Sequence, residues 1–328
     1  MVTNAPAAWG TLASLPVPVA EVGVGQLHSC LHVIGGTSEP KGGEPTSVSA
    51  YNMAFDPSTN RWAQRAPLPK AASHVGVTEL DGKLYAIGGL SDNVHLGPHR
   101  EAFVYDPIKD DWAEIAPLPS ARGSIAVAAV AGRVHALGGH DSSKVLEMSP
   151  PGGPLLRVGI GTVKTHDVYD PARGEWSAGA PLPGPPRDHM GIAVLDGRIH
   201  VFGGRVNDYS DMLDRHDVYD PTAQRWTVAA PLPRPRSAGA FVVLDGLIVY
   251  AGGECKPGGE PFTANAFDDV TAYDPENGTW LALPPLPGAR HAFGGATIGK
   301  LAYFAGGSLL CGGGKTTDEL LTLSLGTS

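Results

Sequence analysis

The chain has 328 residues, 42% of them apolar and 17% charged, with a formal net charge of −9. That composition supports a buried core and excludes a disordered chain, and the acidic balance argues against nucleic acid as a partner. No apolar run reaches the roughly 18 residues of a membrane-crossing helix, so no membrane partner is expected.

In chain order, the N-terminal segment (Met1 to Ala8) has neither the basic region nor the apolar core of a secretory signal. The compartment therefore stays open between the cytoplasm and a secreted or periplasmic form whose leader was removed. From Trp9 onward one frame repeats. Asp-Pro followed by Trp six residues later occurs at Asp56/Trp62, Asp106/Trp112, Asp170/Trp176, Asp220/Trp226 and Asp274/Trp280. A Gly-Gly pair follows each of the six tryptophans by 26 residues, or by 27 between Trp176 and Gly203. Self-similarity near 50 residues decides the architecture before any single element does.

Each unit reads as four short strands. In the second, Ser73–Leu80 is apolar enough for an inner strand and Asp81-Gly82 makes a hairpin turn. Lys83–Ile87 follows, then a loop, then Glu101–Tyr105 and the outer strand Asp111–Ile115. Aspartate before proline suits the turn between the last two, because the carboxylate accepts backbone N–H groups while proline presets φ. The chain starts on an outer strand around Trp9 and ends on a third strand, Glu319–Leu325. The spacing therefore predicts that Trp9 completes the last unit and closes a ring.

These residues resemble the Kelch repeat: six Gly-Gly pairs, six tryptophans and five Tyr-Asp-Pro or Phe-Asp-Pro turns at constant offsets across the whole chain. The resemblance implies an all-β fold, a single six-bladed β-propeller over residues 1–328 with four antiparallel strands per blade. Propellers are commonly self-contained, so a monomer is expected.

Length variation is confined to the loop joining strands two and three, where the second glycine and the Asp-Pro aspartate are separated by 20, 17, 31, 16 and 21 residues. Loops that vary on a rigid scaffold are where binding commonly resides. The longest, from His140 to about Thr165, reads either as a lid over the central channel or as an unstructured insert. Sixteen residues before the glycine pairs stand Arg122, Arg187, Arg236 and Arg290, expected to ring the channel mouth and to hold carboxylate, sulfate or phosphate. Two residues further on come Glu21, His74 and His189, candidates for general acid–base chemistry on one rung. Arg205, His140 and His291 complete the expected ligand-binding set. His95 and His99 belong to one loop, but Gly97-Pro98 between them lacks the helical geometry that aims two rings at one ion. Cys255 and Cys311 each follow a glycine pair and are open to a disulfide, a metal site or free thiols; Cys30 reads as a small buried hydrophobe. His32, His135 and His200 occupy the position held elsewhere by tyrosine and read as packing residues.

These readings favour a propeller whose arginine-lined funnel binds an anionic small molecule or an acidic peptide, with no cofactor and no metal. The Kelch resemblance implies an alternative, since stand-alone six-bladed members include sialic acid mutarotases, which handle a sugar acid in the central funnel. That enzyme would be mutarotase- or epimerase-like. The copper site of the galactose oxidases belongs to seven blades, and no matching set occurs here. The iron-binding triad of the plant specifier proteins is broken by Met212 between Asp208 and His216.

Overall fold

The computed structural model describes residues 7–38, 47–92, 94–149, 155–208, 210–256 and 258–326. Among these, every regular element is a strand, and six four-stranded antiparallel sheets form the six blades of a propeller. Blade 2 is typical, with Gly76–Leu80 innermost, then Lys83–Ile87, Ala102–Asp106 and Asp111–Ile115. Its first strand starts at Gly76 rather than Ser73, because His74 is left-handed (φ 53°) and breaks the pleat. No helix among the described residues is long and apolar enough to cross a membrane.

Blade 6 is completed by the N-terminus. Ala8–Leu12 pairs antiparallel with Leu320–Ser324, Trp9 opposite Leu323, so the ring closes by hydrogen bonding between the two ends of the described chain. Closure removes the open edge that a sheet would otherwise present to other chains.

The repeated residues are the joints between blades. All six tryptophan indoles donate Nε1–H to a backbone carbonyl of the preceding blade, at 2.7 to 3.1 Å. Each ring thus covers apolar surface while its single polar atom is satisfied. In the glycine pairs, the second N–H donates to a carbonyl of the next blade, as Gly89 does to Arg122 at 3.1 Å. A Cβ on the first glycine would strike that same carbonyl; at Gly88 it would lie 2.4 Å from the Arg122 oxygen. Only glycine permits this approach together with a φ of 61°.

The core is accordingly distributed among the blade interfaces. Between blades 1 and 2, for example, Leu27, Ile34, Leu84 and Phe103 are buried together. His32, His135 and His200 do pack within the sheets: His135 Nδ1 meets His166 Nε2 at 2.9 Å and His200 Nδ1 meets His216 Nε2 at 3.0 Å. His166 and His216, their partners, are likewise buried inside the blades.

Candidate functional site

The four arginines expected to line the funnel do not line it. Arg122, Arg187, Arg236 and Arg290 are at most 1% exposed, and each guanidinium is held inside its own blade. Arg122 pairs with Asp167 at 2.7 Å and Arg187 with Asp217 at 2.6 Å. Arg236 donates to the carbonyls of Gly252 and Asp269 and to Thr271 Oγ1, with its guanidinium over the Tyr250 ring. Arg290 pairs with Glu319. The expected anion-binding ring is corrected to a set of internal clamps. The physical reason is reach: the arginine side chain runs back between strands two and three, where unpaired carbonyls and carboxylates wait, and not forward into solvent.

The channel mouth is built from the residues two positions on. Glu21 (φ 55°), His74 (53°), Ser124 (50°), His189 (49°), Ala238 (55°) and Ala292 (57°) are all left-handed. This conformation is uncommon for residues other than glycine and is offset here by backbone hydrogen bonds that run from blade to blade, open only between Ser124 and His189. Glu21 N–H donates to Ala292 O, His74 to Glu21, Ser124 to His74, Ala238 to His189 and Ala292 to Ala238, at 2.7 to 3.0 Å. The ring fixes where these side chains begin. A second tier sits above it, where the residue after each glycine pair meets the neighbouring inner chain, as Arg205 does Asp188 and His140 does Gly123.

On this platform the three acid–base candidates, Glu21, His74 and His189, come together, joined by His95 from the blade 2 loop. One donor atom from each of the four lies within 4.8 Å of all the others. Glu21 Oε2 is 2.9 Å from His74 Nε2, and His95 Nε2 is 3.0 Å from the same nitrogen. His99, by contrast, turns away to Ser91 Oγ at 2.8 Å. His140 and Ser142 hold His95 in place by donating to its backbone carbonyl at 2.9 and 2.6 Å. His291 is buried, donating Nε2–H to Leu310 O at 2.8 Å.

The long blade 3 insert is a β-hairpin, His140–Met148 paired with Leu156–Thr162, and it covers this floor. Residues 150–154 at its tip lie outside the described residues. Gly159 N–H donates to Val94 O at 2.9 Å, and a side chain there would collide with His95 O, so hairpin and His95 loop fit only through glycine. Between hairpin and floor lies a cavity of about 260 Å³. Its roof is apolar, with Leu146, Leu156, Val158 and Ile160, while Glu21, His95, Arg205, Glu254 and Ser308 are polar walls and floor. The far wall carries Phe262 and Gly312–Gly314, on two loops stapled by the Cys255–Cys311 disulfide (Cα–Cα 4.7 Å). That pairing resolves the three alternatives open for these cysteines.

Charge is unevenly shared around the cavity. Arg205 is 2% exposed and gripped by Asp188 and Glu254; burial disfavours its charge, but those carboxylates, with Glu21, more than restore it. Burial pushes the Glu21 carboxyl up, yet His74, with His189 and His291, overcomes this and holds it far below the usual carboxylate range. Asp188 is likewise pushed up by burial and held far down by His189, Arg205 and His140. Burial, reinforced by neighbouring cations, keeps His95 well below its ordinary value, and burial brings His140 to about 4. Three carboxylates, those of Glu21, Asp188 and Glu254, thus stand around one guanidinium at the floor.

With this geometry in view, comparison with known proteins is informative. The Kelch motif matches at residues 71–119 and 186–233. The chain is 28% identical over 337 residues to "Kelch-like protein terF" of Aspergillus terreus, covering 98% of this chain and 67% of that protein. The repeats at those two positions match the Kelch motif. "Kelch-like ECH-associated protein 1A" of Danio rerio is 37% identical over 89 residues, 26% of this chain and only 14% of that protein. This chain therefore spans about two thirds of the first relative and a small part of the second. Among solved structures, "Structure of YjhT" superposes with a TM-score of 0.74 at 14% identity, covering 96% of this chain and 100% of that one. At that identity the likeness supports the fold alone.

Proposed function

We propose that this Kelch propeller binds a small organic molecule in the central cavity beneath the blade 3 hairpin. The observation that carries this reading is the cavity itself, closed on one side by apolar hairpin residues and on the other by charged and hydroxyl groups. At about 260 Å³ it lies just below the roughly 300–1,000 Å³ usual for the pockets of drug-sized ligands, which suits a small one. The shape favours a ligand of sugar size over an acidic peptide, which would need an open groove. Thr37, Ser308 and Glu254 suit the hydroxyls of a sugar or sugar acid, and the apolar roof suits its C–H face.

A second reading, an enzyme acting on a sugar acid, is favoured by one contact. Glu21, 2.9 Å from His74, borders the cavity beside His95, so a carboxylate and an imidazole stand within reach of one bound molecule. A mutarotase takes the proton of the anomeric hydroxyl and gives one to the ring oxygen, and an epimerase removes a proton from one carbon and returns it there; either needs such an acid–base pair.

The test is a thermal-shift screen of sugars, sugar acids and short acidic peptides against the wild type and Val158→Trp, which fills the cavity. Stabilisation by a small molecule that disappears in Val158→Trp supports the proposal. Stabilisation by peptides alone, unchanged in the variant, overturns it. Faster interconversion of the two anomers' NMR signals, or solvent deuterium uptake at the α-carbon, separates enzyme from binder.

A further inference from the structure

We infer that Glu21, His74, His95 and His189 form a binding site for a first-row divalent metal ion at the floor of the cavity. The inference does not depend on the small-molecule reading, because it rests on donor geometry and not on the cavity's shape.

Three observations converge. The first is distance. Donors at right angles around one ion, each about 2.1 Å from it, stand about 3.0 Å apart. The Glu21 Oε2–His74 Nε2 and His95 Nε2–His74 Nε2 separations of 2.9 and 3.0 Å match that edge, and all four donors lie within 4.8 Å of one another.

The second is proton placement. Ser73 Oγ–H donates to Asp92 O at 2.8 Å, so the hydroxyl is left to accept from His74 Nδ1–H at 2.9 Å. Nε2 of the same ring then faces a carboxylate oxygen and a second imidazole nitrogen at 2.9 and 3.0 Å. One cation placed there accepts an electron pair from each of the three atoms.

The third is the surrounding support. Metal-bound imidazoles characteristically have their other nitrogen or their backbone held by a polar group. Here Ser73 holds His74, Asp188 Oδ1 lies 3.2 Å from His189 Nδ1, and His140 and Ser142 anchor the His95 carbonyl. Three imidazoles and a carboxylate suit zinc, iron, manganese or cobalt over magnesium or calcium. Glu21 and His95 border the cavity, so the ion would present its free positions to a carboxylate or hydroxyl ligand there.

The experiment strips the protein with EDTA, dialyses it, and titrates it with Zn²⁺ by calorimetry and with Co²⁺ by visible d–d absorption. One equivalent per chain is expected, with a Co²⁺ spectrum of mixed nitrogen and oxygen ligation. His95→Ala, on a loop outside the hydrogen-bonded ring, should weaken binding at least ~10-fold with unchanged circular dichroism. Ser73→Ala, which removes the hydroxyl that orients His74 and also anchors Asp92 O on the His95 loop, should weaken it ~10- to 100-fold, the range for lost supporting contacts. Absence of saturable uptake overturns the inference. So does uptake whose affinity is the same in wild type, His95→Ala and Ser73→Ala, which marks surface histidines as the binders.

Discussion

Replacing Arg187 by Met separates a structural arginine from a ligand-binding one. Arg187 and Asp217 are both fully buried, with Nη2 and Oδ2 2.6 Å apart. Removing one partner of a buried ion pair typically costs about 3–5 kcal/mol, mostly because the other charge is left uncompensated. Asp217 keeps a second partner, Arg215, whose Nε and Nη2 donate to it at 2.6 and 2.7 Å, so the lower end, about 3 kcal/mol, is expected. With an unfolding entropy of about 2.1 cal/mol/K per residue, a chain of this length should then lose about 4–5 °C in melting temperature. The assay is thermal and urea unfolding of Arg187→Met and of the Arg187→Met/Asp217→Leu double variant. The double variant should recover part of the loss, because it removes both fully buried charges, while Arg215, partly exposed, gives up its carboxylate for solvent. An unchanged melting temperature in Arg187→Met, together with lost affinity for a small anion, would refute the clamp and restore the arginine to the binding site.

Removing residues 1–14 should open blade 6 and lower the melting temperature by at least about 5 °C, since Trp9 alone contributes the burial of a large aromatic ring; differential scanning calorimetry checks this, and an unchanged transition denies the closure. The Cys255→Ser/Cys311→Ser variant should lose up to about 4 kcal/mol by the chain-entropy relation for a 56-residue separation, read from urea midpoints. Acid should destabilise the fold through the buried imidazoles. Burial lowers His135 and His216 to about 3 and His200 to about 4, from an unfolded value near 6.5. Below pH 6.5 the unfolded chain binds protons that these folded rings refuse, so stability falls with pH until the folded values are reached. Between pH 7 and pH 5 each ring should cost roughly 2 kcal/mol. A melting temperature that holds constant across that range would contradict the neutral assignment.

The fold was legible because its joints are written in residue types with few alternatives. Glycine alone tolerates the approach to the next blade's carbonyl at Gly88, and tryptophan alone combines a large apolar face with one donor that reaches the preceding blade. The site was legible in part. Counting back from the glycine pairs located Glu21, His74 and His189 on one rung, and the structure gathers them. The same count could not tell which way an arginine points, since a long side chain beginning at the channel mouth can reach either the funnel or the blade interior. The buried acids Asp167 and Asp217, two strands away in sequence, decide it. His95 was missed as a member of the cluster because its position is set by the hairpin clamp at Gly159, a contact between two loops of different blades. The alternation Leu156-Arg-Val-Gly-Ile160 was a usable signal that the long insert is a strand pair. Asp188 and Glu254 carry no such signal; their role emerges only from their grip on Arg205.

The most direct measurement is a crystal structure of the protein with the strongest stabilising small molecule from the screen. The account predicts ligand density between Val158 and Ile160 above and Glu21 and His95 below. Density on an outer blade face, with the central cavity holding only water, would contradict it.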